Sequence, residues 1–121
     1  MKQDLIFHLV SKRKWKQWQN DGYFRPEPQE MKEIGVQPDW IRCLTGDQVE
    51  QYANQNYSNR KNILMLVIHI KRLTGKVEYR QLDDGKEYAM VEGRINLDAI
   101  IDKIRLMPDE NGKFEIHVEQ A

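Results

Sequence analysis

The sequence predicts an α+β fold in which two main helices pack on a strongly bent, split sheet of mixed or antiparallel strands. Three observations predict it. Two runs, Leu5 to Val10, apolar on both alternating faces, and Ile63 to Ile68, continuously apolar and rich in β-branched residues, read as buried strands. Two amphipathic stretches begin with helix start signals at Ser11 and Thr45. The order strand, helix, strand, helix, followed mostly by strands, differs from the repeated βαβ units of a parallel sheet. A chain of 121 residues has material for one core, so a single domain over residues 1–121 is expected.

The first run carries His8 and is expected at or near the centre of the sheet. Ser11 then offers an N-cap, Val10 and Trp15 are spaced as a hydrophobic staple, and Trp15 and Trp18 share one helical face. The first helix is expected from Lys12 to about Asp21, with Gly22 suited to the left-handed position that ends it. From Arg25 to Asp39, Pro26, Pro28, Gly35 and Pro38 punctuate a long loop of the kind that often carries function.

A short strand follows at Trp40-Ile41-Arg42-Cys43-Leu44, and Thr45 with Gln48 forms a capping box. Val49, Tyr52, Ala53 and Tyr57 recur at helical spacing, predicting a second helix to about Asn56. Ile63 to Ile68 is too short for a buried helix and reads as a central strand. Val77 to Gln81, the turn residues Asp83-Asp84-Gly85, and Glu87 to Glu92 then form a hairpin. Asn96 caps one short turn through Ala99, and Ile100 to Met107 is a further strand. Beyond a turn at Asp109 to Gly112, Phe114, Ile116 and Val118 alternate with polar residues as a half-exposed last strand.

Composition narrows the function classes. Nineteen basic residues balance nineteen acidic ones, so no net field recruits polyanions. The lone cysteine, Cys43, cannot form an intramolecular disulfide, and no apolar run reaches membrane-spanning length. The segment before Leu5 and the six apolar-rich residues after it do not make a signal peptide, so a cytoplasmic location is expected. No glycine-rich phosphate loop occurs. His8, Cys43, His69 and His117 are dispersed without metal-ligand spacing, and no metal is expected.

Three residues stand out chemically. His8 is a polar imidazole in an apolar strand, and needs either an internal hydrogen-bond partner or a ligand. Arg42 shares its strand with Ile41 and Cys43; turned inward it needs a carboxylate or phosphate, turned outward it is solvated. Tyr88, Met90 and Glu92 lie on one face of their strand by period-two alternation, putting a carboxylate beside aromatic and thioether surface. Glu92 otherwise reads as an edge-strand acid where the chain leaves the sheet, or as a pairing partner of Arg42. The first helix also carries Lys12, Arg13, Lys14 and Lys16 beside its tryptophans, a pattern of either a phosphate-contacting patch or a solvated face.

The segments Ile6-Phe7-His8-Leu9, Trp40-Ile41-Arg42-Cys43-Leu44-Thr45 with Gln48, Leu64-Met65-Leu66-Val67-Ile68 and Glu92-Gly93-Arg94-Ile95-Asn96-Leu97-Asp98-Ala99-Ile100 together resemble the bacterial family called domain of unknown function 952. The resemblance covers nearly the whole chain. It implies an ADP-ribosyltransferase-like fold whose split sheet grips a dinucleotide. By that resemblance Glu92 and His8 are the catalytic pair, with Glu92 steadying positive charge at the ribose carbon as nicotinamide leaves. His8, Arg42 and Tyr88 would hold the cofactor, with NAD as substrate. The family commonly has histidine where this chain has Arg42 and again at Met90, and tyrosine at Glu92, so His8 is the one family histidine kept. The implied function is binding of a nucleotide or dinucleotide with transfer at ribose. A non-catalytic protein- or RNA-interaction module on the same scaffold, using the Lys12 to Lys16 helix or the Arg25 to Asp39 loop, is the alternative. An RNA phosphate-modifying transferase is a third reading.

Overall fold

A computed structural model describes residues 4–24, 40–82 and 84–116, so the expected loop from Arg25 to Asp39 and His117 lie outside the described residues. The strands are β1 (Leu5–Ser11), β2 (Tyr23–Phe24), β3 (Trp40–Cys43), β4 (Ile63–His69), β5 (Val77–Gln81), β6 (Glu87–Glu92), β7 (Ile95–Asn96) and β8 (Ile100–Leu106). The helices are α1 (Lys12–Asp21) and α2 (Val49–Asn56). Three ladders form, in the orders β1-β4-β8, β3-β6-β5 and β2-β7, and every pairing is antiparallel. The mixed component of the expected sheet is thus not found among the described strands.

Local chemistry sets the helix boundaries. The Ser11 hydroxyl accepts the Lys14 N–H at 3.2 Å, and Gly22 ends α1 with φ +79°, sending its N–H to the Trp18 carbonyl at 3.1 Å. At the second start, Gln48 Oε1 accepts the Thr45 N–H at 3.1 Å as the capping box predicts, although its first turn, Gly46–Gln48, is 3-10 and α2 proper begins at Val49.

Strand β4 is central to its ladder, flanked by β1 and β8, and all of Ile63 to Ile68 is buried. Strand β1, in contrast, is the edge of that ladder. Its outer side meets the other three-stranded sheet at a single bridge, where Phe7 and Leu44 exchange N–H···O bonds of 2.8 and 2.7 Å. Among the described residues the two three-stranded ladders share no further strand pairing, in keeping with the expected split sheet. Both faces of β1 are buried because a core lies on each. Ile6 and Val10 pack with Trp15, Trp18, Ile41, Cys43, Leu64, Leu66, Ile68, Ala89 and Val91 in the first core. Phe7 and Leu9 pack with Trp40, Leu44, Val49, Ala53, Met65, Tyr88, Met90 and Phe114 in the second. Truncating a central member such as Leu66 is worth about 2–5 kcal/mol.

The expected last strand is corrected over its described part. Residues 113–116 join no ladder. The Asn54 side chain of α2 instead acts as a pseudo-strand, accepting the Phe114 N–H at 2.7 Å and donating to the Phe114 carbonyl at 3.0 Å. Phe114 is thereby held against the second core. The expected short turn forms at Leu97–Ala99 with Asn96 in the N-cap position, but the Asn96 side chain makes no capping bond: its Nδ2 donates to the Arg72 carbonyl at 2.9 Å and its Oδ1 accepts from the Thr74 N–H at 3.0 Å. It fastens the chain between β4 and β5 to β7.

Candidate functional site

Strand β3 positions the candidate residues, because its two faces look into different cores. Ile41 and Cys43 belong to the first core, and Trp40 and Leu44 to the second. Cys43 is fully buried, and burial drives its thiol pKa far up, so it behaves as a small apolar residue.

His8 lies on the first-core side. It stands opposite Leu66, its ring is 6.4 Å from that of Trp18, and its Nδ1 lies 2.9 Å from the Arg42 carbonyl oxygen. A carbonyl only accepts, so Nδ1 carries the proton in this bond. Burial is the main cause of a pKa lowered to about 4, opposed by the hydrogen bond to Arg42 and aided by the nearby guanidinium charge. The imidazole is therefore neutral at pH 7, and it ties β1 to β3 just beyond the Phe7 to Leu44 bridge.

The Arg42 side chain lies on the second-core side. Its Nη2 donates to the Tyr52 hydroxyl at 2.8 Å, and its guanidinium carbon is 5.0 Å from the ring centres of both Tyr52 and Tyr88. Among the described residues no carboxylate forms an ion pair with it. The nearest compensation is indirect, since the Tyr88 hydroxyl donates to Asp84 in the β5–β6 turn. That bond, then Lys86 and Arg42, hold the Asp84 carboxyl below its usual range. Burial and the Asp84 carboxylate push the Tyr88 phenol up to about 12, so it stays a proton donor.

Register completes this face. Arg42 is directly opposite Met90, which is opposite Glu78; Trp40 is opposite Glu92; and Tyr88 is opposite Arg80. The Arg80 guanidinium stacks 4.0 Å over the Trp40 ring while its Nε and Nη2 reach one Glu78 oxygen at 2.9 and 2.6 Å. Arg80 and then Lys76 hold the Glu78 carboxyl below its usual range. The outcome is a strip carrying two guanidinium groups, each against aromatic rings, one paired with a carboxylate and one not.

The structure thus brings Arg42 and Tyr88 together, and puts Glu92 on their face by register but exposed, at the end of β6 beside Trp40. It does not bring the His8 imidazole to the Arg42 guanidinium; the two meet only through the Arg42 backbone. Behind Glu92 the chain turns at Gly93, with φ +79°. A Cβ on Gly75 would lie 2.2 Å from the Glu92 carbonyl oxygen, so a backbone contact that only glycine allows closes this end of the sheet. Sequence reading missed Tyr52, Asp84, Trp40 and Arg80. Tyr52 reads as part of an apolar helical stripe and Asp84 as a turn residue; their signal was a phenol at a core position and a carboxylate four residues before Tyr88.

Among the described residues, no three histidine, cysteine or acidic side chains converge as a metal site. No helix among them is long and apolar enough to cross a membrane.

The family model described as Protein of unknown function (DUF952) matches residues 9–103. The chain belongs to that family. Its fold is similar to that of CC0527 from Caulobacter crescentus. The crystal structure of that protein matches with a TM-score of 0.77 at 15% identity, covering 92% of this chain and 93% of CC0527. Its solution NMR structure matches with a TM-score of 0.77 at 16% identity, covering 91% and 90%. No curated protein matches. On β3 and β6, Arg42 and Met90 stand directly opposite each other, a cation facing a thioether.

Proposed function

We propose that this domain binds a nucleotide or dinucleotide on the β3-β6-β5 face, with Arg42 meeting a phosphate and Tyr52 and Tyr88 walling the ligand. The observation that carries the reading is the state of Arg42: a half-buried guanidinium between two rings with a phenol, not a carboxylate, as its hydrogen-bond partner. Partly desolvated charge is stable when an opposite charge meets it, and a guanidinium matches phosphate geometry with two parallel bonds. The neighbouring phenols supply flat apolar surface and polar tips. In this reading His8 is a positioning residue that fixes the Arg42 backbone.

Transfer at ribose, in the manner of the ADP-ribosyltransferases and with NAD as substrate, is the catalytic extension of the proposal. Its support is the split, two-sheet arrangement and the register of Glu92 on the Arg42 face, where a carboxylate would steady an oxocarbenium-like centre. The alternative reading, a non-catalytic protein or RNA module, rests on the cations that α1 turns to solvent, Lys12, Arg13 and Lys16, while its buried Trp15 and Trp18 offer an RNA base no stacking surface.

Calorimetric titration with ADP-ribose, NAD and a short 5′-phosphorylated RNA separates these. The proposal expects ADP-ribose to bind, Arg42→Met to weaken it at least about tenfold, and Glu92→Gln to bind as the parent does while nicotinamide release from NAD stops. Folded protein that binds RNA but neither ADP-ribose nor NAD contradicts it.

A further inference from the structure

Strand β8 is the outer strand of the β1-β4-β8 ladder, and among the described residues nothing pairs with its second edge. Ile101 to Arg105 are all exposed, and Ile101 and Ile104 keep 42% of their surface each. Cations line the surface beside this edge. Lys103 and Arg105 stand opposite Leu66 and Leu64 on the first-core side, with the Lys103 ammonium 5.4 Å over the Trp15 ring of α1. Lys12, Arg13 and Lys16 are exposed on α1, and the Lys12 N–H bonds to the Asn62 carbonyl at 2.8 Å, next to exposed Lys61. The ion pairs seen among the described residues lie elsewhere, at Lys71, Lys76 and Arg80.

We propose that β8 accepts an acidic peptide as an added antiparallel strand, with glutamate or aspartate opposite Lys103 and Arg105 and an aliphatic residue opposite Ile104. Lysines on an edge strand are a common guard against aggregation, and here they do exclude one occupant. Two copies of β8 related by a twofold axis must pair residues of the same face. Registers centred on Asp102, Lys103, Ile104 or Arg105 then oppose Asp102 to itself, Lys103 to itself, Lys103 to Arg105, or Arg105 to itself. A second copy is repelled, whereas a strand with acids two apart is attracted at the same positions.

The edge also shows how it is kept while empty. The Lys103 N–H points away from β4 and is met at 2.8 Å by the Asp102 carboxylate. An arriving strand replaces that carboxylate with its own carbonyl, as in strand addition generally. The bulge that leaves Ile101 unpaired between the Val67 and Ile68 registers ends the usable edge on one side. Nucleic acid is the less suited partner, since Trp15 and Trp18 are buried and offer no stacking surface.

The test uses the whole chain and a blocked peptide alternating glutamate and valine, with a lysine–valine peptide, a mixed RNA and phosphatidylserine vesicles as comparisons, read by fluorescence anisotropy or co-sedimentation. The glutamate peptide should bind, Lys103→Glu with Arg105→Glu should weaken it at least about tenfold, and Asp102→Ala should tighten it. Isotope-edited NMR should place the peptide backbone beside the amides of Lys103 and Arg105. Equal binding of both peptides, tightest binding to RNA or vesicles, or Asp102→Ala weakening the peptide would each overturn the proposal.

Discussion

The two polar side chains that flank β3 solve the same problem in opposite ways. His8, on one side, is half-buried, kept neutral by desolvation of its ring, and spends its ring N–H on the Arg42 carbonyl, so that bond is consumed inside the fold. Arg42, on the other, keeps its charge, leans on two tyrosines and has no carboxylate of its own among the described residues. Sequence alone marks both as polar residues in apolar strands. The difference teaches that a polar group made neutral and bonded inside the fold becomes scaffold, whereas a charge with neutral partners and no counter-charge stays available to an anionic ligand.

The largest expected effect comes from the backbone that supports the Arg42 side. Gly75→Ala drives a Cβ into the Glu92 carbonyl, and thermal or urea unfolding should show a loss of about 3 kcal/mol or more. Full stability in that variant would mean the β6 exit is slack, and that the Glu92 end of the strip is poorly defined.

His8→Ala should cost about 1–3 kcal/mol, because it leaves the partly buried Arg42 carbonyl without its donor. The parent protein should also be pH-dependent in a fixed direction. A histidine with an ordinary pKa of 6.5 unfolded and about 4 folded binds its proton first in the unfolded chain, so stability is full above about 6.5 and falls as pH drops towards 4. The loss from this group is at most about 3 kcal/mol. His8→Ala should flatten that window in urea titrations at pH 4 to 7; an unchanged slope would remove the buried-neutral account of His8.

Arg42→Met should do the reverse, shifting stability by less than about 1 kcal/mol, since it forfeits cation–π and phenol contacts but also a desolvated charge. A loss comparable to that of His8→Ala would make Arg42 scaffold as well, and erase the contrast.

What was legible in the sequence was what depends on neighbours a few residues away. Ser11 with Lys14, Gly22, and Thr45 with Gln48 cap their helices as read, and the 77–92 hairpin follows from alternation around a turn. Long-range pairing was not legible. The apolar character of both faces of β1 matched a central strand, yet it arises from two cores around an edge strand that, among the described residues, is bridged to the other sheet at Leu44. Alternation at Phe114 and Ile116 matched a strand, yet Asn54 captures the Phe114 backbone first. At the candidate site, Tyr88 and Arg42 were found because they break a pattern, whereas Tyr52 was hidden because it fits one. Nothing local to residue 42 says which core its side chain enters; that depends on the β3–β6 register.

The most direct test of the contrast is an NMR titration of the folded chain with ADP-ribose, following the Arg42 Nε–H, the Tyr52 and Tyr88 rings and the His8 ring nitrogens together. The account predicts saturable shifts at Arg42, Tyr52 and Tyr88, with His8 neutral and its Nδ1–H bond to the Arg42 carbonyl kept throughout. Shifts centred on His8 with Arg42 unmoved, or none at either, would contradict it.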